Sequence, residues 1–399
     1  MPQSAVIRPF LTVSLSATLD NARTHDFRMT FMGFFVIACL LASFLTSLIV
    51  TSLMRRWAPK WGLIDQPAAR KVHSTPTPLG GGIGIWAGVV LPIGLADSVV
   101  LFLTRSGSSP AWLPADLAAH LNGVLARSEQ MWAILAAGTI LMVMGLLDDL
   151  RNLPWRPRLL VQTVIAGGLV AGGVRVSIFV SAGWVGSAIT LLWILVLVNA
   201  FNFLDNMDGL SSGIALIASL LFAVIMLTAT SEPRWLVAGV LLVLAGSLAG
   251  FLVHNRPPAK IFMGDSGSYF IGLLLATMTV LGTFYDVSAA SRHVILAPLC
   301  ILAVPLYDFC SVVLIRISQG RSPFHPDKSH FSHRLVEVGL KPSHAVLTIY
   351  LATLTTGLGA LLLYRISDWS GAMLVVALIS AVLAIVAILE TAGRRNNGD

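Results

Sequence analysis

Long apolar runs follow one another along almost the whole chain, and this pattern leaves few folds open. A helix needs about 20 apolar residues to cross the hydrocarbon of a bilayer. Eleven segments come close to that length, at 31–53, 80–103, 131–147, 158–174, 186–200, 210–230, 235–253, 267–284, 293–315, 344–364 and 370–389. Only 11% of the 399 residues are charged and 56% are hydrophobic. A soluble domain carries about 25% charged residues. The expected fold is therefore all-α: a polytopic integral membrane protein with about 11 transmembrane helices in one domain over residues 30–390. Residues 1–29 form a poorly defined N-terminal extension and 391–399 a cytoplasmic tail. The extension lacks the cleavage site of a signal peptide, and Met29 and Met32 offer alternative translation starts. Cys39, Cys300 and Cys310 lie in apolar runs, at spacings that suit neither a metal nor a disulfide.

Lysine and arginine concentrate in alternate connections. Arg55, Arg56, Lys60, Arg70 and Lys71 follow the first run, and Arg151, Arg156 and Arg158 follow the third. Arg256 and Lys260 continue the series, then Arg316, Arg321, Lys328, Arg334 and Lys341, and finally Arg394 and Arg395. The positive-inside rule assigns this set to the cytoplasm, with the N-terminus outside and the C-terminus cytoplasmic. The net charge of +7 follows from that topology and calls for membrane lipid, not nucleic acid, as the neighbour. The motifs that carry chemistry all fall on the same connections, so an active site on the cytoplasmic face is expected.

The central motif is residues 199–210, Asn-Ala-Phe-Asn-Phe-Leu-Asp-Asn-Met-Asp-Gly-Leu. Acids at the mouth of a span are costly to desolvate and usually serve a purpose. Asn202, Asp205 and Asp208 are three apart, a spacing that predicts one face of a helical turn able to hold a cation or receive donors. The plainer reading is a polar cap and loop broken at Gly209. Asp148 and Asp149 end the third run. Adjacent carboxylates repel, so one keeps its proton or a cation relieves both. The plainer reading is a surface pair neutralised by Arg151, Arg156 and Arg158.

Three further stretches complete the set. In residues 70–82, Arg-Lys-Val-His-Ser-Thr-Pro-Thr-Pro-Leu-Gly-Gly-Gly, glycines let backbone amides approach an anion and Lys71 offers a point charge to phosphate. A rigid basic loop against lipid headgroups is the alternative. Residues 255–268, Asn-Arg-Pro-Pro-Ala-Lys-Ile-Phe-Met-Gly-Asp-Ser-Gly-Ser, put Asp265, flexible backbone and hydroxyls just ahead of an apolar run. That suits Mg²⁺ beside a diphosphate, with the helix dipole turned to the phosphate. A capped turn is the alternative. In residues 320–334, His330 and His333 are three apart with Arg334 adjacent. No cysteine or carboxylate pair completes a zinc site, so donors to a phosphate or sugar fit better; a surface turn is the alternative. Asp308, inside the ninth run, is either functional or a structural hydrogen-bond partner.

In order and spacing, Lys71-Val-His-Ser-Thr-Pro-Thr-Pro-Leu-Gly-Gly, Asp148-Asp149, the 199–210 motif, Phe262-Met-Gly-Asp-Ser-Gly-Ser and Pro323-Phe-His-Pro-Asp-Lys-Ser-His-Phe-Ser-His-Arg resemble one family. It is the polyprenyl-phosphate N-acetylhexosamine-1-phosphate transferases, and the resemblance runs over about residues 30–365. The last motif is similar to the undecaprenyl-phosphate GlcNAc-1-phosphate transferase branch, which begins wall teichoic acid or lipopolysaccharide O-antigen synthesis. The peptidoglycan translocase branch has consecutive histidines instead. The resemblance implies transfer of N-acetylhexosamine-1-phosphate, GlcNAc-1-phosphate first of all, from UDP-N-acetylhexosamine to undecaprenyl phosphate with release of UMP. It implies Mg²⁺, with Mn²⁺ as a second ion, a bacterial inner (plasma) membrane, and room for a homodimer.

Position by position, the resemblance implies Asp265 as the metal ligand with Asn202 or Asp205 beside it. Asp148 would be the base, supported by Asp149. Asn255 and Asp208 would bind uridine, Phe262 would stack on uracil, and Lys71, His330, His333 and Arg334 would contact phosphates or sugar. Asn199 joins the substrate-binding set. Two positions depart from the family pattern: Asn206 stands where glycine is usual, and Ser332 where the pattern His-x-His-His has a histidine. Phospho-MurNAc-pentapeptide transfer and ion-coupled secondary transport are the competing readings. A transporter would place carboxylates near mid-bilayer in repeated halves, and this chain shows no such repeat.

Overall fold

Ten of the eleven apolar runs each coincide with one helix, and the ninth, 293–315, is broken into a 3₁₀ turn and two helices. The computed structural model describes residues 8–66, 75–106, 115–176, 183–230, 232–282, 292–324, 327 and 329–396, with side chains for all of these but 8–28, 115–120, 122 and 391–396. The chain opens with α1 (Arg8–Trp57), a 3₁₀ turn and a two-strand ladder, β1 (Ile64–Asp65) against β2 (Thr77–Pro78). Then come α2 (Gly81–Ser106), α3 (Ala115–Arg151), α4 (Trp155–Ala171), α5 (Gly183–Leu204), α6 (Leu210–Thr228), α7 (Trp235–Asn255) and α8 (Gly264–Gly282). The last part holds α9 (Ala297–Ile301), α10 (Ala303–Ser318), α11 (Phe331–Glu337), α12 (Pro342–Leu363) and α13 (Trp369–Asn396). Cys39, Cys300 and Cys310 are free thiols.

Helix α8 is the axis of the bundle. Every residue from Ser266 to Gly282 is buried, with α2, α3, α5, α6 and α7 packed around it. Its polar side chains are tolerable because they meet protein and not lipid: the Trp193 indole donates to Thr279 Oγ1 (3.0 Å), and Thr277 donates to the Leu273 carbonyl (2.8 Å). On the outside, Phe34 and Ile37 of α1 and Leu378 and Ile388 of α13 are exposed, as lipid-facing side chains are.

By length and composition, eight of the described helices can cross a membrane, or nine if the pair Arg292–Ile301 and Ala303–Ser318, bent by 66°, is one span. The expected count of eleven is therefore not established, although the polytopic all-α fold is. Helix α4 has 17 residues, at the short end for a span, and α8 carries serines and threonines that the surrounding protein satisfies. Pro305 lies in the first turn of α10, where a missing N–H is harmless.

Candidate active site

Asp148 and Asp149 close α3, and Gly145, one turn earlier, decides how near α8 can come. A Cβ at Gly145 would lie 2.4 Å from both the Asp265 carbonyl carbon and the Ser266 nitrogen, so only glycine allows this crossing. The approach carries the Asp149 carboxylate to the first turn of α8. There it accepts the N–H of Asp265 (2.9 Å) and of Ser266 (3.4 Å). Gly264 has φ 71°, and a Cβ on it would stand 2.4 Å from Asp149 Oδ2. The helix N-terminus that the sequence offers to a phosphate is thus filled by Asp149. The glycine loop also differs from expectation. Gly81 and Gly82 donate their N–H groups to the carbonyls of Phe262 (2.9 Å) and Met263 (3.0 Å), so these amides lace two loops together and do not form an open anion cradle.

Asp148 is 5% exposed. Its Oδ1 accepts the Leu153 N–H (2.7 Å), a reach made possible by Asn152 in the left-handed region at φ 48°. Its Oδ2 accepts Arg158 Nη1 at 2.6 Å. The same nitrogen lies 3.2 Å from the Tyr269 hydroxyl and 3.4 Å from Asp265 Oδ2. The Tyr269 hydroxyl is in turn 3.4 Å from both carboxylates. Arg158 entered the sequence reading only as one of three charges beside the acid pair, and Tyr269 did not enter it. The available signals were an arginine at the head of an apolar run just after Asp148-Asp149, and a tyrosine four residues beyond Asp265, on the same helical face.

From α5, Asn202 donates its amide nitrogen to Asp265 Oδ1 (2.7 Å) and to Ser268 Oγ (3.2 Å). The helix ends at Leu204, so the three-residue spacing does not continue along one face as expected. Asp205 turns towards Gly264, whose N–H favours the charged carboxylate. Burial first, and the charge of Asp149 next, push the Asp205 carboxyl up to about 8. Asp208 goes elsewhere and accepts the Ala259 N–H (2.8 Å). Asn199, a turn earlier, donates to Gln162 Oε1 (2.7 Å) and to the Leu195 carbonyl (2.8 Å). Asn255 is buried, accepting from Gly209 N–H (2.9 Å) and the Ser212 hydroxyl (3.2 Å) and donating to the Ile261 carbonyl (2.9 Å). Its amide ties the 205–209 turn to the following loop, in which Phe262 is half-buried.

The histidine stretch joins from the other side. Asp308 is fully buried and accepts both the Phe331 N–H (2.6 Å), at the start of α11, and a contact from His330 Nδ1 (3.0 Å). It therefore caps α11 and orients His330. The His330 ring meets the edge of Phe203 at 5.6 Å and lies 6.3 Å from the His333 ring. Arg334 is 3% exposed. Its guanidinium is spent on Glu390 of α13 (2.8 Å) and the Ser311 hydroxyl (2.9 Å), so it braces α11. Lys71 and His73 lie outside the described residues.

The profile of glycosyl transferase family 4 matches residues 131–283. That stretch runs from α3 through α8 and contains every carboxylate of the cluster above. The chain is 33% identical over 352 residues to the "Probable undecaprenyl-phosphate N-acetylglucosaminyl 1-phosphate transferase" of Bacillus subtilis (strain 168), covering 86% of this chain and 89% of the relative. It is 32% identical to the "Decaprenyl-phosphate N-acetylglucosaminephosphotransferase" of Mycobacterium tuberculosis (strain ATCC 25618 / H37Rv), covering 87% and 88%. It is 28% identical to the "Undecaprenyl-phosphate alpha-N-acetylglucosaminyl 1-phosphate transferase" of Escherichia coli (strain K12), covering 86% and 88%. The chain belongs to the polyprenyl-phosphate N-acetylhexosamine-1-phosphate transferase family. As a member it is a multi-pass membrane enzyme, a phosphotransferase.

The donors of this family member suit a hard divalent cation shared with a substrate. No group of three or more His, Cys, Asp or Glu side chains converges on one point among the described residues. Mg²⁺ does not need such a cage, since it is commonly held by one or two carboxylates, waters and substrate phosphates. Asp265 and Asp205 offer the oxygens, and the Asp205 carboxyl is raised by burial first and by the charge of Asp149 next. Asn202 presents nitrogen to Asp265, so ligation through its oxygen requires the amide to turn over.

Proposed function

We propose that this enzyme transfers N-acetylglucosamine-1-phosphate from UDP-N-acetylglucosamine to undecaprenyl phosphate and releases UMP. The names of the relatives above supply the sugar and the lipid. The observation that carries the reading is the junction of Asp148, Arg158, Asp265 and Asn202, where the ends of α3, α4, α5 and α8 meet within 2.6–3.4 Å. The reaction joins two anions. A lipid phosphate oxygen forms a bond to the β-phosphorus of the UDP-sugar, and the bond from that phosphorus to the bridging oxygen breaks, so that oxygen leaves with UMP. Neutralisation and in-line positioning do most of such work.

Asp265, with Asp205, would hold Mg²⁺, which when bound spreads the charge of the leaving UMP. Arg158 lies 3.4 Å from Asp265, and its guanidinium suits two phosphate oxygens in a bidentate grip. Asp148 is the proposed proton acceptor for a singly protonated lipid phosphate. Because Arg158 grips it at 2.6 Å, that role begins when the incoming phosphate draws the guanidinium away. Asp149 keeps the first turn of α8 in place beneath Asp265. His330, oriented by Asp308, and His333 face the sugar diphosphate, while Phe262, Asp208 and Asn255 shape the uridine side. Lys71 is proposed as a further phosphate contact.

The cytoplasmic side of a bacterial inner membrane is the proposed setting. There the lipid head meets a soluble nucleotide while its tail stays in hydrocarbon, and the product begins a cell-envelope polysaccharide. The test is a donor panel: purified protein with undecaprenyl phosphate and Mg²⁺, given UDP-GlcNAc, UDP-GalNAc or UDP-MurNAc-pentapeptide, with UMP as readout. Release with UDP-GlcNAc that needs both lipid and Mg²⁺ supports the reading. Release only with the pentapeptide donor moves the enzyme to the translocase reaction.

A further inference from the structure

Asn206 and Ser332, the two positions that depart from the family pattern, are 126 residues apart in sequence and touch. The Ser332 hydroxyl donates to Asn206 Oδ1 at 2.5 Å. Asn206 Nδ2 donates to the Phe203 carbonyl at 2.7 Å, so both ends of the amide are engaged and its orientation follows from the partners. Ser332 is 1% exposed. Among described non-glycine residues only Asn152 has positive φ, so the backbone at 206 has no need of glycine. Asn206 immediately follows Asp205, and Ser332 sits between His330 and His333. The contact therefore joins the carboxylate turn to the histidine helix.

Helix α11 has seven residues and cannot hold itself in place. Among its tethers are the Asp308 cap, the Arg334 contacts to Glu390 and Ser311, and the Asn206–Ser332 hydrogen bond. Of these, the last leads straight to the turn that carries Asp205. We propose that Asn206 and Ser332 act together as positioning residues that fix His330 and His333 against the carboxylate cluster during transfer. The proposal rests on the transferase reading above. It also treats the two departures as one matched exchange. Because the two side chains are in hydrogen-bond contact, a larger residue at 332 is expected to meet the Asn206 amide, and exchanging both positions together is expected to be milder than exchanging either alone.

The test uses the full-length enzyme in nanodiscs, with kcat and KM for UDP-GlcNAc determined per folded molecule for Ser332→Ala, Asn206→Ala and the double variant. Each single change is expected to lower kcat about tenfold with KM within about twofold, since small misplacements act on the transition state. The double variant is expected to be no worse than either single, as for two residues in one contact. Asn206→Gly with Ser332→His together should recover more activity than either change alone. Losses that multiply in the double variant, or variants with normal kcat and only lowered thermal stability, overturn the proposal. A wild-type enzyme inactive with every donor defeats the transferase reading itself, an outcome distinct from active variants beside an active wild type.

Discussion

Replacing Gly145 with alanine tests the α3–α8 junction with one carbon atom. The new Cβ would stand 2.4 Å from the Asp265 carbonyl carbon and the Ser266 nitrogen. That is about 1 Å inside ordinary contact, so the helices must part by roughly that amount. Asp149 rides on α3 and its 2.9 Å bond to the Asp265 N–H would stretch beyond hydrogen-bond range. Overpacking of this kind costs about 1–3 kcal/mol, and a 1 Å misplacement of a catalytic group costs on the order of 10²-fold in rate. The expected variant is folded, somewhat less stable and about 10²-fold slower. The control is Gly167→Ala in α4, where nothing lies within 4 Å and helix propensity alone should give a small gain. Transfer rates and thermal unfolding of the three proteins in nanodiscs provide the comparison. Gly145→Ala with activity within twofold of wild type would show that the close crossing does not position Asp265.

Two further perturbations address charge. Arg158→Gln strands the buried Asp148 carboxylate beside Asp265, so stability should fall by about 2 kcal/mol and transfer should be nearly lost; unchanged stability in a thermal melt would contradict the pairing. For Asp205, a carboxyl pushed up to about 8 is mostly protonated at pH 7 without metal, and a cation must displace that proton. Apparent Mg²⁺ affinity should therefore rise by up to about tenfold per pH unit below pH 8 and level off above it. Mn²⁺ titrations followed by electron paramagnetic resonance at several pH values would read this directly, and a pH-independent affinity would remove Asp205 from the ion's surroundings.

The apolar runs made the helices legible because each must place its length against protein or against bilayer lipid. Lysine and arginine alternation assigned Asp148, Asn202, Asp265 and His330 to one membrane face; in the structure the first three meet around Arg158, and His330 lies against Phe203 of the same motif as Asn202. Asp265 beside Asn202 was legible only through the family resemblance. Distance was not. Nothing in Gly-Asp-Ser-Gly-Ser announces that Asp149, from another helix, fills the N-terminus of α8. The three-residue spacing from Asn202 to Asp208 promised one face, but α5 stops at Leu204, and the turn sends Asp208 to Ala259. Arg158 looked like one positive charge among three because pairing depends on the crossing that Gly145 permits. The count of eleven spans is not established, because length and composition alone qualify eight or nine of the described helices.

The central claim is that Asp265 anchors a metal-dependent transfer, and Asp265→Asn tests it most directly. The substitution keeps the shape of the side chain and removes its charge. Wild type and variant, matched for folding by gel filtration and thermal melt, would be given undecaprenyl phosphate, UDP-GlcNAc and a Mg²⁺ series, with UMP release followed. The account predicts a folded variant at least about 10²-fold slower that no Mg²⁺ concentration restores. A variant with near-normal turnover at ordinary Mg²⁺ would contradict it.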